Sequence, residues 1–229
     1  MKRLTAMILL LLAFCAHAVA EEDSKIVRNG PRDEKRLCIT VDDCTDTPML
    51  QAIFDLSREM EVPITFFPNG YPLKDEDRDL WRVIAESDCE IGNHCFSHYT
   101  LHKMSVSQIV QQLTRCGERM DEVLGYHYPM QMMRPPFGNV TKYGSSWHVR
   151  SGAKKAGYVR IVKWDVSQND PQKALKEVKN GSILLYHTIE KDLNCLKVLL
   201  PALKEQGWEF VTVSEMFGFE KPVPSQTSK

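Results

Sequence analysis

The chain has no charge excess, no basic block, no internal repeat and no low-complexity segment. Its 229 residues carry a formal net charge of −1, with Lys and Arg spread along the whole length. Nothing electrostatic therefore points to nucleic acid or an anionic membrane as partner. The chain also lacks an apolar run long enough to cross a bilayer. The nearest approach is at the N-terminus, where Met1-Lys2-Arg3 precedes a mostly apolar stretch from Leu4 to Val19. That stretch falls short of the ~18 residues a span requires. Ala18-Val19-Ala20 then offers a small-x-small cleavage site before Glu21-Glu22-Asp23. Residues 1–20 read as an export signal, and the mature chain is expected to be periplasmic or secreted, without stable membrane insertion. Phe14 is too bulky to precede a lipid-modified Cys15.

What is present is a globular composition, 43% hydrophobic and 26% charged, in a chain of the length of one domain with a sizeable core. Past residue 20 remain Cys38, Cys44, Cys89, Cys95, Cys116 and Cys195. An even count in an exported protein permits disulfides without assigning them. Cys38 and Cys89 each precede a candidate metal ligand by five residues, which suggests equal height on two strands. With a third strand between them the separation is roughly 9.6 Å, too far for a bridge. The oligomeric state is not legible.

Residues 21–36 are polar and read as a linker, 37–217 as the domain, and 218–229, with Pro222 and Pro224, as a flexible tail. Strands are expected at Leu37–Val41, Ile64–Phe67, Glu90–Asn93, Gln131–Arg134, Tyr158–Lys163, Ser182–Tyr186 and Glu209–Val213. Helices alternate with them. Thr47-Pro48 reads as an N-cap followed by proline at the first helical position. Asp75–Ser87 is helical with Leu80, Val83 and Ile84 inward. Ser105–Leu124 shows one apolar face through Ile109, Leu113, Cys116, Met120, Val123 and Leu124, and Gly125 stops it. Ser146–Ala156, Pro171–Lys179 and Leu193–Gln206 complete the set. Such alternation argues an α/β fold with a parallel sheet or barrel.

Five polar motifs fall at or just after the C-terminal ends of these strands, where α/β barrels build their sites. They are Thr40-Val41-Asp42-Asp43, His94 to His98, Arg134-Pro135-Pro136-Phe137-Gly138, Trp164-Asp165 through Asp170, and Leu185-Tyr186-His187. Four-residue spacing would put His94 and His98 on one helical face, where both can hold one ion, although such pairs are often plain surface residues. Asp43 adds an oxygen, making a two-His, one-carboxylate set with open positions. His102, Cys44 and Cys95 are weaker ligand candidates. Asp42 and Asp43 are costly to hold together without a cation. The pair divides the work if Asp43 binds the ion and Asp42 takes a proton from water, whereas a solvated acidic turn is the bland alternative. Pro135 and Pro136 stiffen a loop that aims the Phe137 amide at an oxyanion. Arg134 orients Asp42, pairs with Asp170, or simply caps a strand end. His187 suits a general acid, with Asp165 or Asp170 as its carboxylate partner. Trp164 and Leu185 line a small apolar pocket or belong to the core.

These motifs, in this order, resemble the polysaccharide deacetylase family (carbohydrate esterase family 4, the NodB-homology domain). Thr65-Phe66-Phe67 is similar to its aromatic second strand, and the resemblance runs from Leu37 to about Phe217. It implies a distorted (β/α)7 barrel in a single domain. It also implies a divalent metal, usually zinc with cobalt or another ion as alternatives, on Asp43, His94 and His98. By the same resemblance Asp42 is the general base and His187 the general acid. Arg134 orients the base, an acid of the fourth motif tunes His187, Phe137 offers its N–H, and Leu185 receives the acetyl methyl. The sequence departs from the family where Pro171 follows Asp170 in place of tryptophan. Trp164 is then the candidate for that wall. The expected activity is removal of acetyl groups from N-acetylated sugars of a peptidoglycan or chitin-like glycan. O-deacetylation, as of xylan, and a noncatalytic metal-containing sugar-binding module are the alternatives.

Overall fold

A computed structural model describes residues 24–223. The export signal expected over 1–20 and the end of the tail lie outside these described residues. In chain order the elements are β1 (Lys25–Val27), β2 (Arg36–Asp43), α1 (Thr47–Met60), β3 (Ile64–Pro68), α2 (Arg78–Glu86), β4 (Glu90–Ile91), α3 (Val106–Leu124), β5 (Met132–Met133), α4 (Trp147–Lys155), β6 (Arg160–Val162), α5 (Pro171–Glu177), β7 (Ser182–His187), α6 (Glu190–Glu205), β8 (Glu209–Phe210) and α7 (Val213–Met216).

Every ladder between these strands is parallel. One sheet runs β4-β3-β2-β7, with β8 pairing the start of β2, and the other runs β1-β6-β5. Two parallel bridges join them: Asn93 to Met133, and Val166 to Leu184. The result is an α/β domain whose staves form a distorted barrel.

Side-chain alternation decides what faces where. In β2, Leu37, Ile39 and Val41 pack outward under the helices, together with Ile64, Phe66, Leu184 and Tyr186 of β3 and β7. The intervening residues turn inward. Cys38, Phe67 and Ile183 join Met132, Val162 and Val213 in an inner cluster. Thr40, Asp42, Leu185 and His187 continue the inward rows of β2 and β7, with Thr40 opposite Leu185 and Asp42 opposite His187 in register. At the other end of the barrel Glu90 is wholly buried. It accepts hydrogen bonds from Thr65 Oγ1 (3.0 Å), Ser214 N (3.0 Å) and Ser214 Oγ (2.5 Å). Burial pushes its carboxyl above the ordinary range, against these bonds.

Several sequence expectations need correction. The linker expected over 21–36 contains a strand: Ser24 is buried and Lys25–Val27 pairs with β6, because Ile26 packs on the second core cluster. Asp46, not Thr47, caps α1, its carboxylate accepting from Met49 N at 3.0 Å. On α2 the buried face is Trp81, Ile84 and Ala85, and Val83 points out. Helix α6 starts at Glu190, three residues before Leu193, and Val213 opens α7 instead of ending a strand. The face foreseen for α3 is the buried one, and its Ser105 closes a capping box with Gln108. All six cysteines among the described residues are free and buried.

Candidate active site

The inward rows bring Asp42 and His187 to one end of the barrel, and Arg134 reaches the same place from the other sheet. Its Nη1 donates to Asp42 Oδ1 and to Thr40 Oγ1, each at 2.7 Å. Its Nε and Nη2 reach the Val162 and Lys163 carbonyls at 3.3 and 3.2 Å. The guanidinium also lies over the Phe67 ring, 4.5 Å from its centroid, so every side of this buried cation is occupied. Arg134 thus meets Asp42 and not Asp170.

Asp43, His94 and His98 converge so that one donor atom from each lies within 4.8 Å of the others. Asp43 Oδ1 is 3.5 Å from His94 Nε2 and 3.2 Å from His98 Nε2. Donors bound to one ion at 2.0–2.1 Å in a tetrahedron stand about 3.3 Å apart, so the spacing fits a shared cation. Asp43 Oδ1 is buried and has no hydrogen-bond partner, since neither imidazole contact has hydrogen-bond geometry. His94 Nδ1 meets the Arg134 carbonyl at 2.8 Å. That contact fixes the tautomer and leaves Nε2 as the free lone pair. Burial opposes ionisation of Asp43, but the neighbouring His94, His98 and His187 side chains outweigh it and hold the carboxyl below its usual range. Burial likewise keeps His98 below its usual value, which favours the neutral ligand form. The residues fit a divalent ion.

The histidine pair does not share a helical face. Residues 94–98 contain no helix. The segment folds back through left-handed backbone at Cys95 (φ 68) and His98 (φ 51), held by Asn93 Oδ1 accepting from Cys95 N and Gln112 Oε1 accepting from Ser97 N. Asp43, Cys44 and Phe137 are left-handed too, so five of the seven non-glycine residues of this kind among the described residues sit at the site. Such strain is typical of positions fixed for function. Cys44 and Cys95 turn into core clusters, and burial pushes both thiols well above their ordinary value, which disfavours the metal-binding thiolate. His102 contacts Thr100 Oγ1 instead of joining the ligands.

His187 meets a carboxylate that the motifs did not name. Asp192, in the first turn of α6, accepts from His187 N at 2.7 Å and lies 3.5 Å from its Nδ1. Asp192 foremost, with Asp42 and Asp43 behind it, raises the imidazole above its usual value against partial burial. The two acids expected in this role are engaged elsewhere. Asp165 pairs with Arg32 at 2.8 Å and accepts from Ser182 Oγ and Ile183 N, at the opposite end of β7 from His187. Asp170 caps α5 through Gln172 N and Lys173 N. Pro171 is the first residue of that helix, which explains a proline after Asp170. Leu185 lies inward beside Thr40 and is nearly buried. Trp164, the first residue of the fourth motif, abuts Gly138 of the 135–138 loop. In that loop Phe137 packs its ring on His98, with centroids 4.6 Å apart.

A model of the polysaccharide deacetylase family matches residues 29–161. The chain belongs to this family. It is 28% identical over 205 residues to the peptidoglycan-N-acetylglucosamine deacetylase PgdA of Listeria monocytogenes, which covers 85% of this chain and 41% of PgdA. The chain thus spans about two fifths of that relative's length. It is 28% identical over 209 residues to the peptidoglycan-N-acetylmuramic acid deacetylase PdaA of Bacillus subtilis, covering 86% of this chain and 77% of PdaA. Among solved structures the fold is similar to BA3943, a CE4 family pseudoenzyme of Bacillus anthracis. The TM-score is 0.75 and the identity 19%, over 88% of this chain and 72% of that one.

Proposed function

We propose that this deacetylase-family chain is an exported, metal-dependent hydrolase that removes acetyl groups from N-acetylated sugars of a glycan, peptidoglycan first among the polymers to try. Family membership alone does not carry the reading, because a pseudoenzyme shares the fold. One observation does: of two adjacent carboxylates, Asp43 faces two imidazoles while Asp42 is tied to Arg134. That is the division of labour between holding an ion and moving a proton.

Asp43, His94 and His98 would hold the ion, zinc first and cobalt or another divalent ion as alternatives. When bound, it polarises the amide carbonyl and acidifies the attacking water. Asp42 accepts the proton from that water, and Arg134 keeps its carboxylate aimed. The Phe137 N–H, in the loop stiffened by Pro135 and Pro136, donates to the developing oxyanion, a contribution typically worth ~3–4 kcal/mol. His187 delivers a proton to the leaving nitrogen, and Asp192 orients the ring and favours its charged form. Leu185 and Trp164 supply apolar surface for the acetyl methyl. The catalytic unit is residues 37–217 with β1 added. Relatives named for N-acetylglucosamine and for N-acetylmuramic acid support peptidoglycan while leaving the modified sugar open.

The test is mass spectrometry of chitooligosaccharides, peptidoglycan fragments and acetylxylan after incubation with the zinc-loaded protein. Loss of acetyl groups from the N-acetylated glycans is expected. Release from acetylxylan alone would replace the reading with O-ester hydrolysis. Folded, zinc-loaded protein that releases no acetate from any of them would reduce it to a sugar-binding module.

A further inference from the structure

A buried tyrosine outside the sequence motifs is wired to the candidate metal centre. Tyr158 lies between α4 and β6, and its ring packs in the core cluster that also holds Cys95, Ile109, Leu113 and Met133. Its hydroxyl accepts from Asn93 Nδ2 at 2.6 Å. Burial pushes the phenol above its ordinary value, so the group is neutral at pH 7. Ser24, the residue before β1, donates from Oγ to the Tyr158 carbonyl at 2.6 Å, and Tyr158 N donates to Ala153 O at 3.0 Å. The tyrosine is thereby pinned from the start of β1 and from the end of α4.

Asn93 is wholly buried and uses every polar atom it has. Its other Nδ2 hydrogen goes to Leu113 O at 2.9 Å, and its Oδ1 accepts from Cys95 N at 2.8 Å. Its own N donates to Met132 O at 2.9 Å, and its carbonyl accepts from Arg134 N at 2.8 Å. Two of these bonds reach the chemistry. Cys95 N anchors the left-handed turn between the two imidazoles. Arg134 N belongs to the residue whose carbonyl meets His94 Nδ1 and whose guanidinium holds Asp42. The terminal torsion of an asparagine is broad unless partners fix both ends of the amide. Leu113 and Tyr158 fix the nitrogen end. Without the hydroxyl, one buried N–H loses its acceptor, and the amide that holds Cys95 can turn.

We propose that Tyr158 is a positioning residue for the metal centre: its hydroxyl, acting through Asn93, holds the His94–His98 loop in ligand geometry before an ion arrives. Left-handed backbone at Cys95 and His98 is unfavourable for residues other than glycine, so the surroundings must impose it. The inference rests on the reading of Asp43, His94 and His98 as ion ligands. The fold also supplies a control. Tyr128 is a second buried tyrosine, and its hydroxyl accepts from Ile91 N at 3.2 Å, so its bond ends on β4 and not on Asn93.

The experiment measures zinc affinity by chelator competition for wild type, Tyr158→Phe and Tyr128→Phe, beside visible spectra of the cobalt-loaded forms and melting midpoints of the zinc-free forms. Tyr158→Phe should bind zinc about 10–100-fold more weakly and shift the cobalt bands. Tyr128→Phe should keep both at wild-type values, although the two midpoints fall alike. Equal zinc affinity in wild type and Tyr158→Phe, or an equal loss in both variants, overturns the positioning role. Amide exchange of zinc-free wild type adds a reading that needs no substitution: Cys95 N–H should be protected, and a fast-exchanging Cys95 overturns the preformed loop. Folded wild type that binds no zinc would sink the ion-site reading. Loss of Cys95 protection in Tyr158→Phe would still report the hold on the loop, so the two failures are told apart.

Discussion

Arg134 and Asp42 form a buried ion pair, Nη1 to Oδ1 at 2.7 Å, that spans the two sheets of the barrel. Removing one partner of such a pair strands the other without solvent. Arg134→Ala should therefore lose about 3–5 kcal/mol of stability, read from urea midpoints. Arg134→Lys keeps the charge but cannot reach Thr40, Asp42 and two carbonyls at once. It should fold, and acetate release should fall by about 10²-fold through misaligned Asp42.

The two adjacent aspartates should separate by assay. Asp42→Asn should bind zinc as wild type does and lose ~10²–10⁴ in kcat. Asp43→Ala should lose the ion itself. Metal content after gel filtration, set beside acetate release, checks both; an Asp42→Asn protein at full activity would contradict the assigned base.

Asp192 should govern the alkaline limb of the pH profile. The general acid must be protonated, and Asp192 raises the His187 pKa above its ordinary value. Activity therefore persists as pH climbs past the usual histidine range and is lost as it passes the raised value. Asp192→Asn removes the charge, so the limb should move toward lower pH. A limb that stays in place would show Asp192 to be only a cap on His187 N.

Chelation should abolish acetate release, and zinc or cobalt should restore it. The ion binds the folded chain, so at a concentration a hundredfold above its Kd it should add ~2.7 kcal/mol. Differential scanning calorimetry with and without chelator reads this as a shift in Tm. No shift in either direction would argue against the three-residue ion site.

The strands β2, β3 and β7 were legible because each is a largely apolar run of five to eight residues. The two-residue strands β4 and β5 leave almost no periodic signal, and β1 hid in a charged stretch because a strand that short needs only Ile26 to face the core. His94 and His98 were recognisable by type and spacing, but a spacing of four matches helical period and says nothing of the left-handed loop that pairs them. Asp192 was missed for a local reason. Helix α6 seemed to begin at Leu193, the first apolar residue of its face, so its true first turn, with Glu190 and Asp192, was read as connector. An acid in the opening turn of the helix after Leu185-Tyr186-His187 was the available signal. Asp165 and Asp170 were chosen by motif alone, and a backbone cap and an arginine had already claimed them.

The Glu90 cluster carries a consequence for biogenesis. A growing polypeptide has its candidate ion ligands in hand once residue 98 has been made, but two of the three donors to Glu90 belong to Ser214, 124 residues after it. Barrel closure must therefore wait until Ser214 has been made. Chains truncated ahead of Ser214 should stay protease-sensitive, and Glu90→Gln should ease that sensitivity, because an amide tolerates the empty seat better than an acid does.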